Sequence, residues 1–141
     1  MRVDISYDHP VLRLSRKETI RTIGGVVRGE GRRVKTVSVV FTDNGRIRDI
    51  NRKHLRHDYV TDVIAFELEP RPVLEAEIYV NLDRARLQAK RFRVSFSEET
   101  KRLLIHGMLH LLGYDDRTPA LRNRMSRRED ALLASLRRKK S

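Results

Sequence analysis

Apolar and polar residues alternate through Val3, Ile5 and Tyr7, the period of a short strand with one buried face. Ser15 followed by Glu18 reads as a capping box, and Leu14, Ile20, Ile23 and Val27 then recur at near-helical spacing until Gly29 and Gly31 stop the helix. Residues 34–41 are almost continuously apolar and β-branched, the pattern of a central strand covered on both faces. Asp43, Asn44 and Gly45 offer a turn and a cap for a short helix carrying Ile47, Ile50 and Asn51. Residues 54–61 show no period and read as a loop. Two further strands are predicted over 62–68 and 75–82, joined by Glu69-Pro-Arg-Pro72, which breaks any helix. A helix follows over 83–91. The next is capped by Ser97, has Glu98 and Glu99 in its first turn, and runs to about Leu112 before Gly113. A last helix starts at Thr118-Pro119 and carries the stripe Leu121, Met125, Leu132 and Leu136. The alternation predicts one α+β domain over residues 1–141, with a small mixed sheet of about four strands packed with about five helices.

Composition narrows what such a domain does. The chain has 141 residues, no cysteine and a formal charge of +12. Lack of cysteine excludes a disulfide scaffold, a thiolate metal site and a cysteine nucleophile. No apolar run approaches the ~20 residues of a membrane span, and the opening MRVDISYD has no apolar core of a signal peptide, so a cytoplasmic protein without membrane contact is expected. The charge points to a polyanionic partner, most simply nucleic acid. It is concentrated in residues 117–141, where nine Lys or Arg face two acids, with a basic tail expected at about 137–141.

The segment IHGMLHLLGYDD at 105–116 carries the strongest chemical signal. His106 and His110 lie four apart on a helix, so both imidazoles leave one face a turn apart. The turn after Gly113 swings Asp115 or Asp116 back toward them. Two histidines and one carboxylate form a three-ligand set for a hydrolytic metal, which makes the fold metal-hydrolase-like. Gly107 in the helix interior costs ~1 kcal/mol against alanine and calls for a close approach by another element or a substrate.

This segment resembles the signature of the YbeY family, whose members are single-strand-specific endoribonucleases of rRNA maturation, including 16S rRNA 3′ ends, and of ribosome quality control. His106, Gly107, Leu109, His110, Leu111, Gly113, Tyr114 and Asp115 match it, and Asp116 stands where most members have a third histidine. A second stretch is similar: Ile50, Asn51, Asp58, Thr61, Asp62, Val63, Ile64, Ala65 and Phe66 fall at the family's spacing. The family's active-site arginine falls on Leu55, and its neighbour Arg56 is given that role. The resemblance implies one Zn²⁺, or another divalent transition metal, held by His106, His110 and Asp116, with Asp115 as fallback ligand. It further implies catalytic roles for Arg56, Asp62 and Asp115, no nucleotide cofactor, and single-stranded rRNA and the small ribosomal subunit as partners. Arg52 and Lys53 are further candidate phosphate contacts, His54 and His57 candidate RNA contacts, and His9 a turn residue.

Two other readings compete. A non-catalytic, metal-stabilised ribosome-assembly or RNA-binding factor would share the charge and the ligands. A metalloprotease is less favoured, because its His-Glu-x-x-His motif needs a general base where this chain has Gly107.

Overall fold

The computed structural model describes residues 1–55, 60–68 and 73–140. Chain order is β1 (Arg2–Tyr7), α1 (Arg16–Glu30), β2 (Val34–Thr42), α2 (Asn44–Ile50), a π-type turn (Asn51–Leu55), β3 (Val63–Glu67), β4 (Leu74–Asn81), α3 (Leu82–Phe92), α4 (Phe96–Leu111) and α5 (Pro119–Lys140). The single mixed sheet runs β1-β2-β4-β3. The β1/β2 and β2/β4 pairs are parallel and β3 pairs antiparallel with β4. The α+β architecture read from the alternation is the observed one.

Local chemistry sets most boundaries. Ser15 caps α1, its Oγ accepting from Glu18 N at 3.1 Å, and Gly31 closes it in the left-handed region at φ 63°. Asp43 caps α2 through Arg46 N at 3.0 Å. The cap of α4 is Ser95, not Ser97: its Oγ accepts from Glu98 N at 3.0 Å, which puts Phe96 inside the first turn. Of the two serines only Ser95 has an acid three residues on, the spacing of a capping box, and Phe96 inside the first turn packs against the core.

One face of the sheet carries the main core. Val37, Val39 and Phe41 of β2 and Ile78 and Val80 of β4 pack with Ile23 and Val26 of α1, Leu104, Ile105 and Met108 of α4, and Met125 and Leu132 of α5. The other face is only partly covered, by Ile47 and Ile50 of α2 against Ile64, Phe66 and Tyr79. Strand β2 is therefore central but not covered on both faces, because Thr36, Ser38 and Val40 remain half-buried. Ile20 and Leu121 likewise fall at the margin of their apolar stripes rather than in the core. Asn51–Leu55 continue α2 as a helical turn, which takes in residues 54 and 55 at the start of the expected loop. Helix α5 runs through residues 137–140 of the basic C-terminal stretch. Among the described residues, no helix is long and apolar enough to cross a membrane.

Edge strand β3 and helix α4 border an open cleft. They meet at Gly107, where a Cβ would press on Val63 Cγ2 at 3.2 Å and Ile78 Cγ2 at 3.3 Å. The glycine anticipated as a point of close approach is one: it lets α4 settle onto β3 and β4.

Candidate metal centre

Helix α4 builds the first half of the centre. Four positions apart on the helix, His106 and His110 stack edge to face, ring centroids 4.6 Å apart. Their Nε2 atoms lie 3.1 Å from each other. The helix then stops at Leu112, and Gly113 takes φ 103°, a value that side-chain-bearing residues rarely adopt. Tyr114 N donates to Leu109 O at 2.9 Å, turning the chain back on the helix end. That reversal delivers Asp116, whose Oδ2 lies 3.2 Å from His110 Nε2 and 3.6 Å from His106 Nε2. Arg122 of α5 holds this turn by donating to Asp116 O at 3.2 Å.

The triangle fits a metal. Ligand atoms about 2.0–2.1 Å from a tetrahedral ion stand about 3.3 Å from one another, and the three edges here are 3.1, 3.2 and 3.6 Å. The donor set of two imidazoles and a carboxylate suits zinc and its neighbours. All three side chains are partly exposed and open into a cleft of about 430 Å³.

A residue that the sequence reading missed secures the centre from behind. Glu129 of α5 is buried, and its Oε2 lies 2.6 Å from His106 Nδ1. Its other oxygen accepts from Arg102 Nη1 at 3.2 Å, while Arg102 Nη2 reaches Asp130 at 2.7 Å. A carboxylate on Nδ1 keeps the proton there and turns the Nε2 lone pair toward the cleft, the orientation a metal ligand needs. Burial disfavours the His106 imidazolium, but the bond to Glu129 and the charges of Glu129, Asp62 and Asp116 outweigh it and raise the pKa. A signal for Glu129 did exist: it sits between Met125 and Leu132 on the apolar stripe of α5, where a carboxylate survives only if partnered.

The opposite wall comprises Asn51 and residues 61–65. Asp62 faces the centre across the cleft and accepts from Gln88 Nε2 at 3.3 Å. The segment is pinned by Asn81 at the end of β4. Its Nδ2 donates to Asn44 Oδ1 at 2.8 Å and Thr61 O at 3.0 Å, its Oδ1 caps α3, and its backbone N donates to Asp62 O at 2.8 Å. Beneath both walls lies Glu99 of α4, 3% exposed. Burial, with the charges of Asp62 and Glu129 adding and that of Arg102 opposing, pushes its carboxyl up to about 7.

The remaining candidates divide. Asp115 does not join the triangle: Arg117 takes its carboxylate through the backbone N at 2.9 Å, Nε at 2.7 Å and Nη2 at 2.6 Å. Those bonds, the backbone one foremost, hold the Asp115 carboxyl below its ordinary range. His54 lies outside the cleft lining, edge-on to Phe66 at 5.9 Å. Arg52 is exposed and bonded to Asp49 at 3.0 Å, and Lys53 is exposed. His9 is a turn residue, its Nδ1 accepting from Val11 N and Leu12 N while Nε2 meets Asp83 Oδ1 at 2.9 Å. Arg56, His57 and Asp58 lie outside the described residues. Among the described residues no Lys or Arg lines the cleft, which carries two imidazoles and two carboxylates inside a chain of charge +12.

Known proteins are similar to this chain in sequence and in fold. The family model described as Endoribonuclease YbeY matches residues 11–137. The Endoribonuclease YbeY of Chlorobaculum parvum is 46% identical over 112 residues, 79% of each chain. That of Salinibacter ruber is 38% identical over 140 residues, 93% of this chain and 89% of its own. The solution structure of TM1509 from Thermotoga maritima superposes with a TM-score of 0.63 over 97% of this chain and 93% of that one, at 23% identity, and so shares the fold. A family match spanning both cleft walls and the helix behind them, with relatives this similar along most of their length, leaves one assignment: the chain belongs to the Endoribonuclease YbeY family.

Proposed function

We propose that this protein is a metal-dependent endoribonuclease that cuts single-stranded RNA, acting in the cytoplasm on rRNA at the small ribosomal subunit. The observation that carries the reading is the His106, His110 and Asp116 triangle, backed by Glu129 and open to a cleft. A cleft lined by carboxylates repels a phosphodiester unless a cation sits in it, so the ligand set and the RNA substrate imply each other.

His106, His110 and Asp116 would hold the metal. When bound there, a divalent ion, zinc by donor type, would supply Lewis-acid polarisation and acidification of water. Glu129 holds the proton on His106 Nδ1. Asp62, facing the centre, takes up a proton from the attacking group at its carboxylate. Arg56, one residue after the position of the family arginine, balances charge growing on the phosphate. Asp115 stands outside the triangle with its carboxylate bonded to Arg117, so Asp62 is the base assigned here. The protease reading fails for want of a base at Gly107.

Elemental analysis of protein purified without added metal, paired with cleavage of single-stranded rRNA fragments with and without chelator, tests the proposal. Near-stoichiometric transition metal and chelator-sensitive cleavage are expected. Bound metal without any RNA turnover would favour the non-catalytic RNA-binding factor instead.

A further inference from the structure

The geometry points to a second binding element: a nucleotide subsite in the groove between Tyr114 and α5 that grips single-stranded RNA beside the metal cleft. This inference rests on the endoribonuclease reading. The groove encloses about 450 Å³ and is lined by Tyr114, Arg124, Arg127, Arg128 and Ala131. Positions 124, 127, 128 and 131 are one face of a helix, so three guanidinium groups border one hollow. Tyr114 supplies the facing wall, with Arg124 Cζ 5.2 Å from its ring centroid.

The arginines are not equivalent. Arg128 is immobilised, bonded to Glu30 Oε2 at 2.8 Å and to Gly29 O at 3.0 Å. Glu30 is further used by the Tyr114 hydroxyl. Arg124 and Arg127 are exposed and have no ion pair among the described residues. The hollow therefore combines unneutralised positive charge with a fixed aromatic ring, the pairing that holds a phosphate and stacks a base without reading sequence. An acidic peptide would use the charge but not the ring.

Position completes the argument. Tyr114 and Asp116 are two residues apart, so their Cα atoms are separated by at most about 7 Å. The same turn presents Asp116 to the cleft and Tyr114 to the groove, and exposed Arg117 and Arg122 lie along it. A strand of a few nucleotides laid over this turn reaches both.

The test is equilibrium binding of a short fluorescein-labelled oligouridylate across a salt titration, in a His110→Ala background that stops cleavage. Arg124→Ala with Arg127→Ala should weaken binding at least ~10-fold and lower the slope of log affinity against log salt by about 1.4, two single-strand phosphate contacts. Tyr114→Leu should weaken it by about 10-fold while Tyr114→Phe retains it. If native protein binds and cuts RNA but these variants bind with unchanged affinity and slope, the subsite is overturned and the nuclease reading stands. If native protein neither binds nor cuts RNA, the reading beneath it falls. Competition by polyglutamate as effective as by oligouridylate of equal charge would make the groove a protein-docking surface and overturn the nucleotide assignment.

Discussion

The two walls of the cleft are built on opposite plans. The α4–α5 wall is a bonded network, running from Asp116 through His110 and His106 to Glu129, Arg102 and Asp130. Both elements are long helices whose other sides sit in the main core. The facing wall is a sheet edge and its approach: residues 63–65 pair with β4, while 61 and 62 are held by Asn81. The contrast separates two jobs. Donors that hold a small cation must keep sub-ångström spacing and so sit on rigid, cross-braced helices. Groups that meet a flexible polymer tolerate displacement and sit on a shorter, less braced segment.

One substitution on each wall should give opposite profiles. His110→Ala should cut metal affinity by more than ~100-fold and abolish RNA cleavage, since even outer-shell losses cost 10–100-fold. Asp62→Asn should abolish cleavage while metal content stays stoichiometric. Titration calorimetry with zinc and a single-stranded RNA assay on both proteins decide it. Loss of metal in the Asp62 variant would show that the walls share the ion and end the comparison.

The bracing itself is tested at Glu129. Glu129→Gln keeps the side chain's size but weakens its hold on His106 Nδ1, so zinc affinity should fall ~10–100-fold, with the fold intact by circular dichroism. The variant should also lose some of the preference for one His106 tautomer, visible in the nitrogen chemical shifts of the ring. Unchanged affinity would reduce Glu129 to a partner for Arg102.

How much of each wall was legible follows from how local its determinants are. His106 and His110 are a helical turn apart, and Gly113 announces the reversal that returns Asp116, so the ligand triangle is written within eleven consecutive residues. Gly107 signals a close approach, though not that Val63 and Ile78 make it. Glu129 lies 23 residues beyond His106 and becomes its partner only when α5 folds back across α4. Asn81 shows in sequence only as the end of an apolar strand, and its hub role depends on three elements meeting there. The cap of α4 is Ser95 rather than Ser97 because Ser95, unlike Ser97, has an acid three residues on, Glu98, whose backbone N–H donates to it. The second face of β2 misled because β-branched residues suit a half-covered sheet as well as a fully covered one. The order of elements was readable for the opposite reason: periodicity and breakers are local, and the crossover rules leave few ways to join them.

The weaker wall should yield to loss of its pin. Asn81→Ala strands the backbone N–H groups of Asp83 and Arg84 and the acceptors Asn44 Oδ1 and Thr61 O, so denaturant unfolding should register a loss of about 2–3 kcal/mol. Cleavage should fall further than zinc affinity, because the pin serves Asp62 and not the ligands. An equal fall in both would place Asn81 with the metal wall.

Glu99 gives the smallest expected effect and tests where the two walls meet. Its carboxyl, facing Arg102, Asp62 and Glu129, is raised from 4.5 to about 7 in the folded chain. Folded protein then binds a proton that unfolded protein has released, so this group costs nothing below pH 4.5 and destabilises progressively as pH rises through 4.5–7. Glu99→Gln removes that dependence. Relative to the native chain it should be near neutral at pH 4.5 and more stable by about 1–2 kcal/mol at pH 8, read from urea midpoints at the two pH values. A gain that is equal at both pH values would mean that Glu99 is already ionised when buried, held by Arg102, and that the base of the cleft belongs electrostatically to the helix wall alone.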